Sequence, residues 1–155
     1  MAARLTVGVV SDTHGLVRPE AIEALRGSDV ILHAGDIGGH HVLQELGALA
    51  PVIPVRGNVD GGWARLLPER RRLDLGEVAV LILHDRALLG LDPVDDRIGV
   101  VIFGHSHQPL AEKRKGVLWF NPGSAGPRRF RLPVSVGRLV IEDGRVRHRL
   151  IELEA

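Results

Sequence analysis

The chain has 155 residues, the size of one domain, and no cysteine, which excludes disulfides, zinc–thiolate fingers, iron–sulfur clusters and thiol nucleophiles. Twenty Lys+Arg against nineteen Asp+Glu leave a formal charge of +1, so no global field draws in a polyanion. With two Trp, three Phe and no Tyr there is no stacking platform for single-stranded nucleic acid, and eight histidines stand out as the main chemical resource. No apolar run reaches the ~18–20 residues of a membrane span, and no leader pattern follows Met1. The expectation is a cytoplasmic protein without a membrane partner, folded as a single domain over residues 1–155.

In chain order, Leu5–Val10, Val30–Leu32, Val52–Val55, Val78–Leu83 and Val100–Phe103 are rich in Val and Ile and do not alternate, the pattern of strands buried on both faces. Between the first two, a helix is predicted to start at Pro19, place Ile22 and Leu25 on one face and stop at Gly27. Between the next two, Val42, Leu43, Leu46 and Leu49 recur at helical spacing and end before Pro51. This alternation predicts βαβ units in a mostly parallel sheet. Leu88–Asp96 offers a short helix that Gly90 and Pro93 work against. Beyond residue 108 the pattern turns to hairpins. Lys115-Gly116 and Asp143-Gly144 are turn signals, the second between Val134–Ile141 and Val146–Leu153, and Gly76-Glu77 is a further candidate.

Each of the five apolar runs is followed by acidic, amide or imidazole residues: Asp12 and His14, then Asp36, then Asn58, then His84, then His105 and His107. In open α/β sheets sites form beyond the carboxyl ends of the strands, so these side chains are expected at one edge. Two carboxylates, one amide carbonyl and four imidazoles, with no sulfur, suit Mn, Fe, Zn, Ni or Co. Seven donors are too many for one tetrahedral ion and enough for two if one carboxylate bridges. Two ions about 3.5–4 Å apart form a clamp for displacement at phosphorus.

The ordered set Ser11-Asp12-Thr13-His14-Gly15, His33-Ala34-Gly35-Asp36, Val55-Arg56-Gly57-Asn58-Val59-Asp60, Leu83-His84, Phe103-Gly104-His105-Ser106-His107 and Asn121-Pro122-Gly123-Ser124 resembles the calcineurin-like metallophosphoesterase superfamily. Within it, the set is most similar to the small YfcE-type phosphodiesterases, relatives of the small retromer subunit. The resemblance implies a four-layer α/β/β/α sandwich of two mixed β-sheets flanked by helices. It implies that Asp12, His14 and His107 hold one divalent ion, that Asn58, His84 and His105 hold another, and that Asp36 bridges them. Mn2+ is the expected metal, with Ni2+, Fe2+, Co2+ or Zn2+ as alternatives. A metal-bridging hydroxide, positioned through Asp36 and Asn58, would then hydrolyse a small phosphodiester, a nucleotide among the candidates. A polymeric nucleic acid is not expected as substrate, and a homo-oligomer is left open.

The other reading is a metal-binding protein-interaction scaffold of the retromer-subunit type with little or no catalysis. Retention of all seven ligand positions favours the enzyme. Larger relatives place a proton-donating His where this chain has Val59. Arg56, His40 and His41 are candidates for substrate contact. Asp85 reads as a helix cap or a partner of a liganding His. His33 and His148 read as structural, Asp60 as a ligand-orienting or turn-capping group, Asn121–Ser124 as a loop lining the site, and Trp63 as a core residue. Arg128, Arg129 and Arg131 form a basic cluster, and Arg70–Arg72 read as edge charges.

Overall fold

A computed structural model describes residues 4–154. The first sheet has the order β10-β9-β1-β2-β3, built from β1 (Leu5–Val10), β2 (Val30–His33), β3 (Val52–Pro54), β9 (Ser135–Glu142) and β10 (Arg145–Glu152). Its β1, β2 and β3 run parallel, while β9 is antiparallel to β1 and to β10. The second sheet has the order β4-β5-β6-β8-β7, from β4 (Arg70–Leu75), β5 (Val78–Leu83), β6 (Val100–Ile102), β7 (Leu110–Arg114) and β8 (Val117–Asn121). Its β5, β6 and β8 are parallel and its two edge strands antiparallel. All three turn signals close hairpins, β4–β5, β7–β8 and β9–β10.

The two sheets face each other across Val7, Val9, Leu32, Val80, Ile82, Ile102, Phe120 and Leu139, all buried. Phe120 is fully buried at the centre, and truncating it to Ala would cost about 3–5 kcal/mol. Helices α1 (Pro19–Leu25) and α2 (His40–Gly47) cover the outer face of the first sheet, where Leu25, Val42 and Leu46 meet Val10, Ile31 and Val136. The helical spacing of those residues is what buries them.

The outer face of the second sheet, Leu81, Leu83, Val101 and Phe103, is closed by Leu89 and Ile98 from the segment between β5 and β6. That segment carries one 3₁₀ turn, Arg86–Leu88, and no α-helix over 88–96. Gly90 sits at φ 68°, outside helical space, and Pro93 lacks the N–H a helix would use. Arg70 does more than charge an edge. Its guanidinium donates to the carbonyls of Leu88 and Leu89 at 2.6 and 2.8 Å, tying this fourth layer to β4. No helix among the described residues is long and apolar enough to cross a membrane.

Candidate metal centre

The parallel strands end together, and their loops keep pairing past the sheet. Asp12 N–H donates to the Gly35 carbonyl, His14 N–H to Asp36 and Gly15 N–H to Ile37, at 2.8–3.0 Å. In the second sheet Gly104 N–H donates to the His84 carbonyl. These ladders bend the chain sharply. Asp12, His14, Asp36, His105 and His107 all have positive φ, between 47° and 73°. For residues with a Cβ this region is sparsely used and costs of order 1–3 kcal/mol, so surrounding contacts must hold it.

Glycines make room for the bends. A Cβ at Gly57 would collide with the backbone nitrogen and Oδ1 of Asp36, and one at Gly104 would collide with Ser11 Oγ.

Each buried carboxylate has one oxygen held and one presented. Asp12 Oδ2 accepts from Ser11 Oγ (2.9 Å) and from the His105 N–H (3.2 Å), which also joins the loops of the two sheets. Asp12 Oδ1 is buried without a hydrogen-bond partner, 3.4 Å from His107 Nε2 and 3.8 Å from both His14 Nε2 and His84 Nε2. Asp36 Oδ1 accepts from the Val59 N–H at 3.0 Å, and its Oδ2 lies 3.1 Å from His84 Nε2 and 3.8 Å from His14 Nε2.

His84 Nδ1 donates to the Ala34 carbonyl (2.9 Å), which turns Nε2 toward the carboxylates. That nitrogen makes no aligned hydrogen bond. Buried acceptors converging without donors between them are what a cation would satisfy. The ligating atoms form two groups that share Asp12: Asp12, His14 and His107, and Asp12, Asp36 and His84. The carboxylate and imidazole donors fit a hard-to-borderline divalent metal.

Electrostatics agree with that reading. Burial disfavours a charged His84, but the Asp36 and Asp12 carboxylates outweigh it and raise its pKa above the ordinary value. Burial likewise works against the Asp36 charge, yet His84 and the Val59 N–H bring its pKa below the ordinary value.

Asn58 and His105 stand at the mouth. His105 Nδ1 donates to Asn58 Oδ1 at 3.2 Å, its side chain is 48% exposed, and its ring meets His84 edge-on at 5.2 Å. His105 lies outside the two close groups of carboxylates and imidazoles. Asp85 caps the 3₁₀ turn by accepting from the Ala87 N–H, and its Oδ2 lies 3.9 Å from His105 Nε2. Arg56 pairs with Glu69 at 2.9 Å and lines a pocket of about 210 Å³ with Asn58, His84 and Asp85. His41 donates to the Gly15 carbonyl at 2.8 Å, and His40 is exposed at the start of α2.

Other residues act behind the cluster. Asp60 accepts from the N–H groups of Ile37, Gly38 and Gly57 at 2.9–3.1 Å, clamping the Asp36 loop to the Asn58 loop. Ser124 Oγ donates to the Asp12 carbonyl, and the Asn121 amide to the Gly104 carbonyl and Ser106 Oγ, so that loop backs the site.

His33 is structural. Its Nδ1 accepts from the Gly35 N–H, and its Nε2 meets Thr13 Oγ1, which donates on to the Ile37 carbonyl. Burial lowers its pKa to about 4. The Thr13 link was not legible, because nothing in the spacing of 13 and 33 signals a contact. Trp63, expected in the core, is 41% exposed on the 3₁₀ turn Gly62–Ala64, beside Val59 and Leu66 in a loop that buries only Ala64.

A two-sheet sandwich with carboxylates and imidazoles gathered beyond the strand ends defines a metallophosphoesterase. The chain belongs to the calcineurin-like phosphoesterase superfamily, whose domain model matches residues 5–144. It is 31% identical to a probable metallophosphoesterase of Methanocaldococcus jannaschii, over 99% of this chain and 84% of that protein. It is 28% identical to phosphodiesterase YfcE of Escherichia coli K12, over 83% of this chain and 84% of the other. Among solved structures, Vacuolar Protein Sorting 29 from Cryptosporidium parvum superposes with a TM-score of 0.78 over 98% of this chain and 99% of that one, at 17% identity. That last likeness concerns the fold. The resemblance expected from the motifs and the sandwich architecture are both borne out.

Proposed function

We propose that the protein is a divalent-metal-dependent phosphodiesterase acting on a small phosphodiester through a binuclear site. The observation that carries this reading is the division within each carboxylate: one oxygen of Asp12 and of Asp36 is fixed by the protein, while the other faces imidazole nitrogens at 3.1–3.8 Å. Asp12, His14 and His107 would hold one ion, and Asn58, His84 and His105 the other, with Asp36 between them. Two bound divalent ions supply a water nucleophile of lowered pKa and offset charge on the phosphoryl oxygens.

The chain's own residues do the rest. Asp60 sets the spacing of the Asp36 and Asn58 loops. Asp12 fixes the His105 loop through its backbone N–H. Arg56, together with the pocket beside Asn58 and His84, receives an ester arm of the substrate, and His40 and His41 flank the approach. Val59 gives its backbone N–H to Asp36 and its exposed side chain carries no acidic proton, which favours diesters with good leaving groups over monoesters.

The test is turnover of bis(p-nitrophenyl) phosphate and p-nitrophenyl phosphate after chelator treatment and reloading with Mn2+, Ni2+, Zn2+ or Mg2+. Metal-dependent diester turnover, highest with Mn2+, with two ions bound per chain, is expected. At most one ion in excess metal would sink the binuclear site. Absence of turnover with every metal would favour the scaffold reading.

A further inference from the structure

The pocket beside the ligand cluster is contiguous with it, because Asn58 and His84 line both. Its other side chains are Arg56, Glu69, Arg70, Leu83, Asp85 and Leu88, from the loop after β3, the adjoining ends of β4 and β5, and the 3₁₀ turn that follows β5. At about 210 Å³ it is smaller than the ~300–1,000 Å³ of pockets that enclose drug-sized ligands, so it admits a compact group.

The formal charges of this pocket cancel. Arg56 and Arg70 stand against Glu69 and Asp85. Arg56 pairs with Glu69 at 2.9 Å, and the Arg70 guanidinium donates to the carbonyls of Leu88 and Leu89. Asp85 Oδ1 accepts from the Ala87 N–H. A second phosphate or a carboxylate on the substrate would meet no net positive charge here.

Apolar surface supplies the rest. Leu83 stands opposite Arg70 across the two strands and packs into the outer layer. Leu88, at the rim, is 70% exposed and adds little to the core. Its backbone is nevertheless held on both sides: its N–H donates to the Asp85 carbonyl at 3.0 Å, and its carbonyl accepts from Arg70 at 2.6 Å. An uncharged group lying against this prearranged rim would take apolar surface out of water at little ordering cost.

We infer that the pocket receives the ester arm that stays on phosphorus, that this arm is compact, uncharged and apolar, of the size of a single aromatic ring, and that Leu88 determines the preference. The inference rests on the phosphodiesterase reading for the place of the phosphorus. With no acidic proton at Val59, the departing oxygen takes its proton from water, on the open side of the site, and the pocket keeps the arm that remains.

The experiment is calorimetric titration of the whole, Mn2+-loaded protein with methylphosphonate, phenylphosphonate and 4-carboxyphenylphosphonate, each of which carries one arm and resists hydrolysis. Phenylphosphonate is expected to bind about tenfold tighter than either of the others. Leu88→Ala brings phenyl and methyl to within about threefold of each other, and Leu88→Lys reverses the preference between phenyl and carboxyphenyl. Leu66→Ala removes a leucine that is 89% exposed but outside the pocket, and keeps the wild-type order. Equal binding of phenyl and methyl, or a preference that Leu88→Ala leaves intact, overturns the subsite. Tighter binding of the carboxyphenyl compound by the wild type overturns the uncharged arm. The same preparations are then given bis(p-nitrophenyl) phosphate. Turnover with a flat phosphonate series overturns the subsite alone, whereas a phosphonate preference without turnover supports the subsite and overturns the phosphodiesterase reading.

Discussion

Both ends of the sandwich use left-handed backbone, and they sustain it differently. At the hairpin end, Lys115 and Asp143 have φ of 50° and 55°, each followed by a glycine at φ 81° or 72°. These are two-residue turns whose conformation matches the twist of the strands they join, so the sequence neighbours suffice to hold them. At the metal end, Asp12, His14, Asp36, His105 and His107 adopt the same region, only His14 being followed by a glycine (Gly15, φ 85°), and they are held by contacts across as many as 93 positions of sequence, as from the His105 N–H to Asp12. Local chemistry explains the first kind of strain. Only the assembled fold, with a ligand for the acceptors it aims inward, explains the second.

The largest test of that contrast removes the ligand-facing acid. Asp36→Ala is expected to lower diester turnover by ~10³-fold or more, about 4 kcal/mol of barrier. Asn58→Ala, at the exposed mouth, is expected to lower it by ~10²-fold. Both are read as kcat/KM, with thermal melting to show the fold intact. An unaffected Asp36→Ala would remove the carboxylate from the mechanism.

His33 supplies a pH test of how much the metal end depends on buried contacts. Its pKa is about 4 in the fold against 6.5 in the open chain. The unfolded state therefore binds the proton first, so the stability it contributes is complete above pH 6.5 and drains away as pH falls toward 4, a loss of about 3 kcal/mol. Denaturant midpoints at pH 7.5 and 4.5 measure it. His33→Gln should flatten the difference, and an unchanged slope would refute the burial argument.

Glycines separate the two ends at smaller scale. Gly57→Ala drives a methyl into Asp36, and a loss of about 2 kcal/mol with ~10²-fold lower turnover is expected. Gly144→Ala strains only a turn, costs about 1 kcal/mol and leaves turnover unchanged. Matching effects on activity would erase the distinction between the ends.

Much of this molecule was legible beforehand. Non-alternating Val/Ile runs gave the parallel strands because burial on both faces leaves that mark, and strand-end residues gave the cluster because parallel strands finish on one side. The ordered motifs around Asp12, His14, Asp36, Asn58, His84, His105 and His107 pointed to the family. What escaped was pairing by side chains distant in sequence. Asp60 clamps Ile37 and Gly38, and His33 answers Thr13, through contacts that no periodicity encodes. Trp63 was misplaced because a large apolar side chain defaults to the core, whereas its loop buries only Ala64.

The pairing of β1 with β9 has a consequence in time. The strand that carries Asp12 and His14 is made first, yet its partner on one side, which sets Leu5 opposite Ile141, is translated about 130 residues later, roughly 7–30 s at ~5–20 residues per second. Through that interval the nascent β1–β2–β3 unit presents an unpaired edge, open to other chains at the ribosome exit. The edge of β1 on that side is therefore the last part of the parallel unit whose partner is translated.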